Sequence, residues 1–290
     1  MDVNPKSEPA DRALAAGASG RGTARTGADD GRSDSLFGFA WFVIKLVIAV
    51  LILRSFVIAP FSIPSESMLP HLWKGDYLIA TKWSYGYSRH SLPLDAPLIE
   101  GRIFASTPDR GDVVIFKHPV DQQDYVKRVI GVPGDSVAMT NGRIVLNGEL
   151  VPQRALADFD LPLSANTGCA SARWSDAGGL GETACLYPRA LETLPGGRSF
   201  AVLDTEPSPQ DNFAPVTVPE GHVFVLGDNR DRSFDSRFPA AAGLGVGFVP
   251  QENLVGRAAF IFWSTDGSAE WAKPWTWFSA ARWDRIGSGL

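Results

Sequence analysis

Apolar residues are spread unevenly along this chain. From Leu36 to Leu53 the run LFGFAWFVIKLVIAVLIL has almost no polar position, and apolar residues continue past Arg54 to Ala59. A helix of about 20 apolar residues crosses a hydrocarbon core, so one membrane-spanning helix is predicted over residues 35–59. Lys45 interrupts the run. A lysine at mid-bilayer costs about 3 kcal/mol, less if its amine snorkels, and the surrounding Leu, Ile, Val and Phe outweigh that cost. A cleaved leader is the competing reading. Against it, the polar head before the run is long, and Pro60 directly follows the small-residue spacing of Val57 and Ala59, which makes a poor cleavage junction. A buried core helix of this length is the third reading and the weakest. Residues 1–34 are Ala, Gly, Ser, Asp and Arg without apolar period, and they predict a disordered tail.

Beyond residue 60 the period changes to that of strands. GDYLIATKWSYG reads as a strand leaving a turn, RGDVVIFKHP as a strand over Asp112–Lys117 with a proline stop, and DYVKRVIGVPGD as a strand ended by a Gly-Pro-Gly-type turn. SVAMTNGRIVLNGELV holds two Asn-Gly pairs, each a hairpin signal. GHVFVLGDNRDRSFDSR is a strand running into a charged loop, and ENLVGRAAFIFW is a last strand. Residues 152–218 are richer in Pro, Gly, Ala and Ser and alternate weakly. The predicted fold is mainly β: an antiparallel core over about 60–83, 111–151 and 219–290, with a smaller β subdomain or insertion over about 84–110 and 152–218, behind one N-terminal transmembrane helix.

Composition adds three points. The net charge of -5 gives no reason to expect a nucleic-acid partner. Arg21, Arg25 and Arg32 precede the span and only Arg54 and Lys74 follow it closely, so the tail is predicted cytoplasmic and the large domain outside. Two cysteines occur, Cys169 and Cys185, both in the weakly patterned stretch. They would form a local disulfide if that stretch lies outside the cytoplasm. Five of the nine tryptophans fall from Trp263 onward. They read either as packing residues or as an aromatic belt at the membrane interface.

Several chemistries are excluded by inspection. No HExxH is present, and the four histidines, His71, His90, His118 and His222, lack metal-ligand spacing. P-loop and GxSxG signatures are missing too. In the acidic loop of Asp228, Asp231 and Asp235, Arg230 and Arg232 stand where a calcium loop needs oxygen ligands. No metal or cofactor is therefore expected. What remains is serine chemistry: IPSESMLP places Ser65 and Ser67 between Pro64 and Pro70, just past the span. A serine needs a base, and a lysine serves if desolvation keeps its amine neutral. In YVKRVI, alternation sets Lys127 on one face with Tyr125 and Val129, an apolar setting for a charge. Lys117, ending VVIFK, is the second candidate, and a solvent-exposed amine is the bland reading of either.

PFSIPSESMLPHLWKGDYLIATKWSYG, RGDVVIFKHP, YVKRVIGVPGD and GDNRDRSFDSR, in this order after a span, resemble the bacterial type I signal peptidases, a family of serine proteases with a Ser-Lys dyad. ARWDRIGSG near the C-terminus resembles the family's ending, while residues 152–218 lie outside the resemblance in detail. The resemblance implies Ser67 as nucleophile and Lys127 as general base. It implies an oxyanion hole from the Ser65 hydroxyl and the Ser67 N–H. Ser233 would hold the lysine amine, Asp235 and Arg237 would form a supporting ion pair, and Ile63 and Val126 would line pockets for small residues at positions -1 and -3. The implied partners are exported preproteins bearing signal peptides, the lipid bilayer and the secretion translocon. The implied location is the inner (plasma) membrane, with the catalytic domain on the outer face. Three alternatives stay open: an inactive membrane-anchored binding homologue, a cytosolic autoprotease attached to a repressor, and a Ser-His-Asp hydrolase using His118 or His222.

Overall fold

The computed structural model describes residues 30–169, 184–270 and 272–290. The predicted tail falls outside the described residues up to residue 29. Helix α1 runs Asp30–Ile52 and continues as a wider turn over Leu53–Val57. It therefore starts ahead of the predicted boundary at residue 35. The stretch Leu36–Val57 has a mean hydropathy of 2.7 and is exposed along its most apolar part, with Ser55 near its end buried. An apolar helix exposed along most of its length suits a bilayer. Within it, the Lys45 amine stands 5.5 Å from the centroid of the Trp41 ring, which gives this mid-run charge an aromatic face.

From Ile48 onward the chain forms a separate compact unit built on strands. Its main sheet has seven: β1 (Ile58–Ser62), β2 (Asp76–Thr81), β3 (Val113–Lys117), β4 (Asp124–Gly131), β5 (His222–Leu226), β6 (Val249–Pro250) and β7 (Leu254–Ser264). Their spatial order is β1-β2-β7-β3-β4-β5-β6, with every pairing antiparallel. One apolar cluster, with Ile63, Met68, Leu72, Leu78, Ile115 and Ile261, lies under the segment that follows β1. A second, with Val114, Phe116, Val129, Val225 and Leu254, fills the opposite side. Strands buried on both faces read as continuous apolar runs, as VVIF and HVFVL do.

The two Asn-Gly pairs form two-residue turns in which Asn141, Gly142, Asn147 and Gly148 all take positive φ. These turns join Ser136–Thr140, Arg143–Leu146 and Glu149–Leu150, which pair with Phe213–Thr217 in a second, four-stranded sheet. The hairpins thus share a sheet with a segment that the sequence pattern assigns to the insertion. A further three-stranded sheet uses residues 153–155, 189–193 and 199–203. Val137, Ile144, Leu146, Leu194, Phe200 and Val202 from these sheets share one core with Ile130, Phe224 and Leu226. Cys169 and Cys185 are joined by a disulfide.

Candidate active site

The loop after β1 carries the serines. Ile63 N–H donates to the Asp76 carbonyl, and the chain then enters a short helical turn in which Leu69 N–H reaches the Glu66 carbonyl and Leu72 N–H the Met68 carbonyl. Met68, Leu69 and Leu72 are fully buried and anchor this turn. Pro64 and Pro70 restrict the backbone on both sides of it. Ser67 is buried, while Ser65 stays exposed with its Oγ 3.3 Å from Ser67 Oγ.

Strand β4 brings the lysine. Val114 of β3 faces Lys127, and Ile115 faces Val126. The Lys127 side chain is 3% exposed, and its Nζ donates to Ser67 Oγ at 2.7 Å. Its amine is pushed down to about 8. Burial is the largest cause, Arg237 adds to it, and Asp235 and Asp228 act against it. The Tyr125 ring, 5.7 Å from Nζ, also favours the charged form and does not prevail. Ile63 is buried and Val126 half-buried. Together with Phe61, Met68, Tyr125 and Phe234 they line a mostly apolar cleft of about 370 Å³ that contains Ser65, Ser67 and Lys127.

The loop after β5 closes the site from behind. Leu226 pairs with Arg128 in the β4–β5 register, so Asp228 arrives beside Arg128. Arg128 grips it through Nε–Oδ1 at 2.7 Å and Nη2–Oδ2 at 2.6 Å, and His71 Nδ1 lies 2.9 Å from Oδ2. Burial pushes this carboxyl up, but Arg128 and His71 outweigh it and hold Asp228 below the usual carboxylate range. Asn229 N–H donates to the Ser67 carbonyl at 3.1 Å and its side-chain amide to the Glu66 carbonyl at 3.2 Å. Asp235 and Arg237 form a buried pair, Nε–Oδ1 2.9 Å, and Asp235 also accepts from the Gly227 N–H. Arg230 and Glu192 form a second buried pair. At Gly227 an added Cβ would stand 2.3 Å from Ser233 Oγ and 2.6 Å from the Ser67 carbonyl oxygen, so only glycine fits between these groups.

Ser233 departs from expectation. Its hydroxyl is buried and makes no hydrogen bond among the described residues, so the expected bond to the lysine amine is not formed. The side chain turns against Gly227 instead. Lys117 is tied to Asp124 at 3.0 Å and does not line the cleft that holds Ser67, so it is not placed to act as its base. His118 contacts the Gly245 carbonyl and His222 the Glu220 carbonyl, and neither lines the cleft, so no Ser-His-Asp arrangement forms around Ser67 with them. Asp228, Arg128, His71 and Asn229 were not singled out from sequence as site residues. The charge-rich GDNR stretch hinted at Asp228 and Asn229 alone. Among the described residues one carboxylate group, Asp204, Asp211 and Asp231, lies within 4.8 Å, away from this cleft. Thr205 and Glu206 already donate to Asp231 Oδ2.

Residues 36–263 match the family described as signal peptidase, peptidase S26. A signal peptidase I of Rickettsia typhi is 36% identical over 237 residues, covering 78% of this chain and 80% of its own. That of Rickettsia prowazekii is 36% identical over 239 residues, covering 79% and 80%. A crystal structure of a signal peptidase I from Enterococcus faecalis is 26% identical and spans 52% of this chain and 97% of its own, with a TM-score of 0.27 that supports no argument about fold. On the sequence matches, the chain belongs to the peptidase S26 family of signal peptidases, serine endopeptidases that remove signal peptides.

Proposed function

We propose that Ser67 and Lys127 form the catalytic dyad of a membrane-anchored endopeptidase that cuts exported preproteins after Ala-x-Ala-like sites. One observation carries this reading: a buried lysine amine, lowered to about 8, donates to a buried serine hydroxyl at 2.7 Å. In its neutral form the amine accepts the Ser67 proton as Oγ attacks the scissile carbonyl. The resulting lysinium then protonates the leaving amine, and water hydrolyses the acyl-enzyme. The Ser67 N–H and the Ser65 hydroxyl are assigned to the developing oxyanion, where one donor contributes about 10² to 10³ in rate. Ile63 and Val126 bound the space for the small side chains before the scissile bond. Asp235, Arg237 and the buried Ser233 support the loop behind the lysine.

The tail is assigned to the cytoplasm and the strand-built domain to the outer face of the inner membrane, on the arginine bias before the span. Trp275, Trp283 and Phe278, which are 68%, 57% and 66% exposed, are assigned to contact with the lipid interface. Signal-peptide-bearing preproteins delivered by the translocon are the substrates.

The test is cleavage of a precursor with an Ala-x-Ala site by the detergent-solubilised full chain, with products located by mass spectrometry. Wild type cuts at that bond; Ser67→Ala and Lys127→Ala do not, and Pro just after the site blocks cleavage. Turnover surviving Lys127→Ala at the same bond would remove the dyad. A folded wild type that cuts nothing would favour the inactive binding homologue.

A further inference from the structure

A second cleft, of about 550 Å³, opens along the other half of β1, between the end of the apolar run and the catalytic cleft. It shares Phe61, Ser62 and Asp124 with the catalytic cleft, but its floor carries different chemistry. Lys82 is only 5% exposed, and its amine donates to one group, the Ser91 carbonyl at 2.8 Å. Arg54 lines the same cleft and forms no ion pair among the described residues. Two carboxylates line it as well: Asp124 is paired with Lys117 at 3.0 Å, and Asp95 lies 3.2 Å from His90, whose imidazole burial holds toward its neutral form. Three cations, Lys82, Arg54 and Lys117, thus line the cleft against two carboxylates; Lys117 is paired with Asp124, and the positive excess rests on the buried Lys82 amine, with donors to spare, and the exposed Arg54 guanidinium.

The position of Arg54 says which anion reaches it. It lies in the last turn of Leu36–Val57, a run of 22 residues that is about 33 Å long as a helix and so matches a hydrocarbon core of about 30 Å. Residues 54–60 then stand at the edge of the hydrocarbon core, next to the phospholipid phosphates. Leu51, Pro60 and Phe61 give the cleft an apolar wall suited to a glycerol backbone and the start of an acyl chain. We propose that this cleft binds the phosphate of an anionic phospholipid headgroup, held by Lys82 and Arg54. The site rests on the reading of Leu36–Val57 as a membrane span and is independent of the catalytic assignment. Lys82 is pushed down to about 8, by burial first and by Arg54 next, and a bound phosphate would raise it again.

The experiment uses the full chain in detergent and water-soluble dihexanoyl phosphatidylglycerol as probe. Dihexanoyl phosphatidylcholine, inorganic phosphate and a signal peptide with an acidic residue upstream of its cleavage site are the comparison ligands. Saturable binding of the phosphatidylglycerol is expected, weakened about fivefold or more by Lys82→Met and again by Arg54→Gln, the factor one basic residue contributes near an anionic surface. Because Lys82→Met alters a buried position, a second readout uses the unmodified chain: the phosphatidylglycerol slows reductive methylation of Lys82 but not of Lys74. Equal affinity in wild type and the double variant, with no protection of Lys82, would overturn the proposal. Inorganic phosphate binding as tightly as the lipid would overturn the lipid assignment. Displacement of the lipid by the acidic signal peptide alone would make the cleft a substrate site instead.

Discussion

Two lysines divide this molecule. Lys127 and Lys82 are both almost fully buried, and burial lowers both to about 8. What differs is the group each amine meets. Lys127 points at a serine hydroxyl whose loop is fixed by Asn229, Met68 and Leu72. Lys82 points at a backbone carbonyl and an open cleft. A lowered amine is thus not by itself a catalytic feature. It becomes one where a nucleophile is held within hydrogen-bond reach and the surrounding charges are already paired.

The largest effect expected from this contrast is at the base. Lys127→Met keeps the apolar packing and removes the amine, and single-turnover cleavage should fall by about 10⁴-fold. Next comes the frame behind it. Gly227→Ala drives a Cβ into the Ser67 carbonyl and Ser233, and displacing the nucleophile should cost about 10²-fold in kcat. Asp228→Asn leaves Arg128 buried with its charge unmatched and should lower unfolding free energy by about 3–5 kcal/mol in denaturant titration.

The pH dependence sharpens the same comparison. Neutral Lys127 is the active form, so kcat/KM should rise with pH and level off above about 8. That acid limb should stay in place in Lys82→Met, because it belongs to the other lysine. The smallest effect is at Ser233. Its hydroxyl has no partner to lose, so Ser233→Ala should leave Tm unchanged or slightly raised. A fall in Tm of several degrees would mean that a bond to this hydroxyl exists in solution.

The sequence made some of this legible and hid the rest for physical reasons. Short apolar runs located five of the seven strands of the main sheet, missing Ile58–Ser62 and Val249–Pro250, and the apolar neighbours of Lys127 marked it as an unusual charge. Asn-Gly turns are local, so both hairpins could be read. Their sheet could not, because Phe213 pairs with Met139 across a long loop. The same limit hid the brace behind the lysine. Asp228 meets Arg128 and His71 from 100 and 157 positions away, and no local pattern records such contacts. Ser233 shows the opposite failure. Its motif suggested a bond to the amine, yet its side chain packs against Gly227.

The central claim is that burial lowers the Lys127 amine far enough for a substantial neutral fraction to exist near physiological pH. The most direct measurement follows the methylation rate of this one lysine in the folded full chain as a function of pH, read by peptide mass spectrometry. The account predicts a midpoint at about 8. A midpoint near 10.4, that of an ordinary exposed lysine, would leave the amine charged at working pH and contradict its assignment as the base.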